Sequence, residues 1–265
     1  MTFNSDTSIR CRGNGAFDVD LQPNWLSLVG IHGGYVTAIA ARGIEEVVDD
    51  ESRPLRSLST QFVRSPAPGA ATLDVHVHHH GRSISFVTAR MVQADRLLLL
   101  ASAICGQGRG GPTYSDLEVG RPPTPPPDQP QFVPSGVAVG HFVNADIFMD
   151  PDVVPFGAGD RSWVAGWLRP VGGEPVTLSW LACAADFFPP AVFSRTTGPV
   201  KAASIDYSLQ FVTADPCRHV PHGGYVYAEM YSAVSAGGYA VEDGTLWAPD
   251  GKVLATSRQL RLAGE

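Results

Sequence analysis

The chain has 265 residues, enough for one large domain or two small ones. Hydrophobic residues make up 44 % and charged residues 17 %, which supports a sizeable core and excludes general disorder. A net charge of −7 excludes nucleic acid as the main partner, because phosphate contact needs a surplus of Lys and Arg. A local basic pocket for a phosphorylated small molecule stays open.

The four cysteines, Cys11, Cys105, Cys183 and Cys217, are far apart and form no C-x-x-C, so they read as scattered thiols in a reducing compartment. The N-terminus MTFNSDTSIRCRGNG is polar and lacks the apolar region of a signal peptide. No apolar stretch approaches the roughly 20 residues of a membrane helix. A soluble, cytoplasmic protein with no membrane partner is expected.

In chain order, AFDVDL (16–21) predicts a strand. GGYVTAIAARGIEEVVDD (33–50) predicts a helix, with Val36, Ile39, Ala40, Gly43, Val47 and Val48 at helical spacing. Gly43 inside it costs about 1 kcal/mol against alanine, which close approach of another backbone would justify. Strand patterns follow at SLSTQFV (57–63), TLDVHVHHH (72–80), SISFVTARMV (83–92) and RLLLLASAI (96–104), with hairpin turns at Gly81-Arg82 and Ala94-Asp95.

Residues 112–134, with eight prolines, cannot be a helix or a central strand and read as a stiff linker. That divides the chain into an N-terminal unit (1–111), the linker (112–134) and a C-terminal unit (135–265). The second unit repeats the plan. HFVNADIFM (141–149) and SWVAGWL (162–168) predict strands. EPVTLSWLACAADFFPP predicts a helix, with Pro175 in its first turn, an apolar stripe of Leu178, Leu181, Ala185 and Phe188, and Pro189-Pro190 as its stop. Four more strands follow at 203–212, 224–234, 238–248 and 252–262. A long helix followed by antiparallel strands, twice over, is an α+β pattern with weak internal duplication. Neither unit is expected to close without its twin.

Several residues carry chemistry on their own terms. Asp206 is either a solvated strand residue or a base, and strand parity groups it with Ser204 and Ser208, away from Ile205, Tyr207, Leu209 and Phe211. His32-Gly33-Gly34 opens the first helix. Its free N-terminal amides can polarise a carbonyl, or the motif is a plain tight turn with His32 as a turn residue. His76, His78 and His80 alternate on one strand and can bind a transition metal, but no cysteine or acidic partner has matching spacing, so a polar hairpin end is favoured. Gly106-Gln107-Gly108-Arg109-Gly110-Gly111 formally matches G-x-G-x-x-G, yet Pro112 follows where a helix would be needed. No G-x-S-x-G elbow is present.

With these residues in view, "IHGGYVTAIAARGIEE", "RSLSTQFVRSPAPG" and "GRSISFVTARMVQADRLLLLASA" resemble the first half of the type II acyl-CoA thioesterases. "ASIDYSLQFVTAD" and "EDGTLWAPDGKVLATSRQLRL" resemble the second half. The resemblance implies a double hotdog fold, two tandem sheets each wrapped around a helix. It implies hydrolysis of a fatty or related acyl-CoA by a water held on an Asp, a Thr or Ser, and a Gln. The aspartate falls on Asp206 and the glutamine on Gln259. The family threonine meets Ala233, so the hydroxyl is expected from Ser232, brought into place by a β-bulge, or from Ser235. Gly33 and Gly34 are the expected oxyanion and substrate-binding residues. Phe62, Trp180, Phe187 and Phe188 are candidates for an acyl tunnel. No cofactor or metal is expected, and a homo-oligomer is. The alternatives are a non-catalytic acyl-CoA-binding protein of the same fold and, behind it, an enoyl-CoA hydratase-like enzyme.

Overall fold

The computed structural model describes residues 2–117, 140–198 and 200–264. Most of the expected linker, residues 118–134, lies outside them, and residues 112–117 carry no regular structure.

Twelve strands form one antiparallel sheet. They are β1 (Ile9–Gly13), β2 (Ala16–Leu21), β3 (Leu55–Phe62), β4 (Gly69–His80), β5 (Ile84–Gln93), β6 (Arg96–Gly106), β7 (Ala145–Met149), β8 (Trp163–Pro170), β9 (Ser204–Phe211), β10 (Val226–Ala236), β11 (Tyr239–Trp247) and β12 (Val253–Leu262). The spatial order is β1-β2-β4-β5-β6-β3-β9-β12-β11-β10-β8-β7. Read from the centre outward, each half repeats the other: β3-β6-β5-β4-β2 on one side, β9-β12-β11-β10-β8 on the other. The halves join where β3 pairs with β9, Leu58 opposite Leu209. The duplication expected from sequence is therefore one continuous sheet with its edges at β1 and β7.

Two helices lie inside the curve of this sheet. Helix α1 (Gly33–Val48) starts where the His32 ring accepts the Tyr35 N–H and ends at Asp49 in the left-handed conformation. Gly43 is explained by side chains rather than by a backbone: a Cβ there would lie 2.5 Å from Leu73 and 3.3 Å from Val75 on β4. Helix α2 spans only Leu178–Ala184, shorter than its apolar run suggests. Thr177 accepts the Trp180 N–H and sets the start, so Pro175 precedes the helix instead of entering its first turn. At the far end Asp186 N–H donates to the Cys183 carbonyl and Phe187 N–H to that of Ala184, a tightened exit that the two prolines complete. Every residue of α2 is buried, so it has no single apolar stripe. It packs against α1 at Gly34, where a Cβ would stand 2.6 Å from the Cys183 carbonyl oxygen.

The expected strand 141–149 begins as a 3-10 turn, Gly140–Asn144, before β7. The Ala94-Asp95 hairpin holds both residues at positive φ, 48° and 59°. Among the described residues no helix is long and apolar enough to cross a membrane.

Candidate active site

A β-bulge decides which polar residues reach the interior. On β9, Ser204 opposes Arg261 and Asp206 opposes Leu260, so two residues of β9 face one step of β12 and Ile205 is the extra one. Beyond the bulge, Tyr207 pairs with Gln259 and Leu209 with Ser257, all buried and all facing the helices. The bulge turns Ser204 to that same inner face. Asp206 points the other way, in register with Gln61 and Leu260 on the outer surface. The expected grouping of Ser204 with Asp206 is thus reversed.

The side chains that meet inside are Asp186, Ser204, Glu242, Gln259 and Arg261, with His32 and Gly34 at the start of α1. Gln259 is 1 % exposed; its amide donates to the Ala185 carbonyl at 3.1 Å and its oxygen accepts the Ser204 hydroxyl at 2.7 Å. Ser204 in turn accepts from the Arg261 guanidinium at 2.9 Å. Arg261 also donates to Asp186 at 3.0 Å and to Glu242 at 2.7 Å and 2.9 Å. Asp186 accepts the Gly34 N–H at 2.8 Å on its other oxygen. Burial pulls the Arg261 pKa down, but Glu242 and Asp186 outweigh it and leave the pKa raised. This is a buried charge with its partners supplied, the only form in which such burial is tolerable.

His32 uses both ring nitrogens. Nδ1 accepts the Tyr35 N–H and Nε2 donates to the Asp186 carbonyl at 2.9 Å. Its ring stacks on His141 at 4.5 Å. Burial lowers the His32 pKa, with Asp186 partly restoring it, and burial followed by the neighbouring His32 lowers that of His141 much further. Both rings are therefore neutral structural groups near pH 7.

Part of this polar knot borders a cleft of about 480 Å³, a volume usual for small-molecule sites. His32, Gly33, Asp186, Ser204 and Arg261 reach the cleft, and most of its remaining wall is apolar, including Phe62, Phe142, Phe156, Phe188 and Phe193. Of the expected tunnel residues, Phe62 and Phe188 line the cleft, while Trp180 and Phe187 are fully buried core. Among the described residues the Gly33 N–H has no hydrogen-bond partner, whereas that of Gly34 is taken by Asp186.

The structure does not bring Asp206, Ser232 and Ser235 to Gln259. Ser232 does sit in a bulge, where Tyr231 opposes Asp243 and Val234 opposes Val241, and it is buried. Its hydroxyl donates to the Val234 carbonyl at 3.4 Å, however. Ser235 is exposed. Asp186 went unnoticed in sequence reading, although one signal was available: a lone acid in the apolar run WLACAADFFPP needs a buried partner. Of the strand histidines, His78 bonds Thr88 at 2.7 Å and His80 bonds Ser85 at 3.1 Å. No helix follows the glycine-rich 106–111 segment within the described residues up to 117.

Comparison with known proteins decides the family. The acyl-CoA thioesterase N-terminal domain model matches residues 21–106, and the C-terminal domain model matches residues 118–263. The chain belongs to the acyl-CoA thioesterase family. No curated protein matches this thioesterase. Among solved structures, a hotdog-fold protein of unknown function from Alicyclobacillus acidocaldarius superposes with a TM-score of 0.88 at 22 % identity, over 99 % of this chain and 98 % of that one. The acyl-CoA thioesterase II TesB2 from Mycobacterium marinum gives 0.75 at 17 % identity, over 98 % and 96 %. A tesB protein of Mycobacterium avium subs paratuberculosis gives 0.74 at 20 % identity, over 98 % and 97 %. At these identities the superpositions establish the fold, the double hotdog expected from sequence.

Proposed function

We propose that this thioesterase hydrolyses fatty or related acyl-CoA thioesters in the cleft, with Asp186 as the base. The observation that carries this reading is the meeting of an apolar cleft with a polar end holding Asp186, the Ser204 hydroxyl and the unpartnered Gly33 N–H.

The acyl chain lies along the aromatic wall. The thioester oxygen takes the Gly33 N–H at the positive end of a 16-residue helix. Ser204 gives its proton to Gln259 and accepts from Arg261, which leaves a lone pair for a water hydrogen. Asp186 accepts the proton of that water as its oxygen bonds to the carbonyl carbon. The tetrahedral intermediate then collapses, the C–S bond breaks, and the proton passes from Asp186 to the departing CoA sulfur. Gln259 acts here by orienting Ser204.

The test is release of free CoA thiol across an acyl-CoA series from four to eighteen carbons. Turnover that rises with chain length and then falls supports the reading. Tight acyl-CoA binding without thiol release would make the protein a carrier instead.

A further inference from the structure

The loop from Asp150 to Arg161 carries two non-glycine residues in the left-handed region, Phe156 at φ 62° and Ala158 at φ 51°. For a residue as bulky as phenylalanine this conformation is costly and persists only where its surroundings impose it. Here they do. The N–H groups of Phe156, Ala158 and Gly159 donate to the carbonyls of Phe193, Thr196 and Ser194, so the loop is laced to the 3-10 turn Ala191–Arg195. That turn is fixed from behind, because Glu242 accepts the Ala191 N–H at 2.6 Å while its other oxygen holds Arg261. The result is that the half-buried Phe156 ring lies 5.0 Å from Phe193, at 34°, with both residues on the cleft wall.

We propose that Phe156 is a specificity-determining residue, a strained aromatic wall that sets the length and bulk of the acyl chain the cleft accepts. The inference rests on the cleft being the acyl site. Its physical basis is steric: the backbone is locked, so the point from which the ring projects cannot withdraw without breaking the lacing to Phe193, Thr196 and Ser194. Glu242 holds both Arg261 and the turn that carries Phe193, so this wall is tied to the polar end. A longer chain must turn that ring aside.

Two series on the full chain test this. The first is kcat/KM for saturated acyl-CoAs of four to eighteen carbons with wild type, Phe156→Ala and Phe156→Trp. The second is Kd for the matching non-hydrolysable acyl-CoA thioethers. Phe156→Ala is expected to move the preferred chain toward longer acyl groups, with the long-to-short ratio changing about tenfold, the scale of one or two methylenes in an apolar pocket. Phe156→Trp moves it toward shorter ones. Phe156→Leu serves in place of Ala should the latter fail to fold. Unchanged chain-length profiles in both series overturn the proposal. If wild type releases no thiol yet the thioether profile shifts, the hydrolytic reading fails and the wall stands. If wild type turns over normally and neither profile moves, the wall fails and the hydrolytic reading stands.

Discussion

Asp186 is 8 % exposed, with an ion pair to a buried guanidinium and a helix N–H on its second oxygen. Asp206 lies outside, on a strand beside Gln61, with no ion pair or hydrogen bond to its side chain among the described residues. If the first is the base, Asp186→Asn lowers kcat/KM by about 10²-fold or more, the usual weight of a general base. Asp206→Asn, on the surface, leaves it within about threefold. Thiol release alongside circular dichroism separates lost chemistry from lost fold. A large loss for Asp206→Asn in a folded protein would return the role to that residue. The two aspartates also show where sequence reading stops. Alternation along SIDYSLQF indicates a strand, but one extra residue in the ladder reverses the facing of everything before it. Nothing in the composition of β9 marks Ile205 as that residue. The family resemblance pointed to Gln259, whereas Asp186, on a loop after a helix, needed the three-dimensional path.

At the scale of the element, α1 carries titrating groups of opposite effect near its two ends. His32, stacked on His141, is kept neutral chiefly by burial. Below the ordinary imidazole value near 6.5, the unfolded chain binds protons that the native rings refuse, so stability falls as pH drops. His141→Phe is therefore expected to flatten the acid limb of a plot of unfolding free energy against pH. Near the C-terminal end, burial raises the Glu45 pKa to about 7, with Arg42 opposing it weakly. Here the folded state holds the extra proton between the ordinary carboxyl value and 7, so this group destabilises as pH rises through that window. Glu45→Gln is predicted to stabilise by about 2 kcal/mol at pH 8 and to be neutral near pH 4.5. Urea titration at both pH values checks it, and an equal effect at both would remove Glu45 from the pH dependence. The glycine pair at the other end is expected from sequence to bind substrate, which needs open space beside it. For Gly34 the room is taken by α2, because its Cβ would press on the Cys183 carbonyl and on Asp186.

Across the whole molecule, the bulge on β9 has a counterpart. On β3, Leu55 opposes Cys105 and Ser57 opposes Ile104, again two residues against one step. Matching the two bulges places Leu55 where the other half has Ser204, and Cys105 where it has Arg261. Leu58, paired with Ala103, then matches Tyr207, paired with Gln259. The duplicated scaffold therefore carries its polar network once, and the first half contributes the start of α1 to it. Such a division of labour requires that the halves not separate. Their strand pairing is the β3–β9 ladder, with Leu58 and Leu209 both 0 % exposed, and α1 packs directly on α2. Leu209→Ala is expected to cost about 2–5 kcal/mol, the range for a buried leucine truncation. Because the cavity opens at the junction, the loss should fall on the whole chain. One urea transition, shifted to lower midpoint, should appear both in far-ultraviolet circular dichroism and in fluorescence. Four of the five tryptophans lie in the second half, so fluorescence reports mainly there while circular dichroism reports on both. Two separated transitions would mean that each half folds alone and that the continuous sheet is a docking of independent domains.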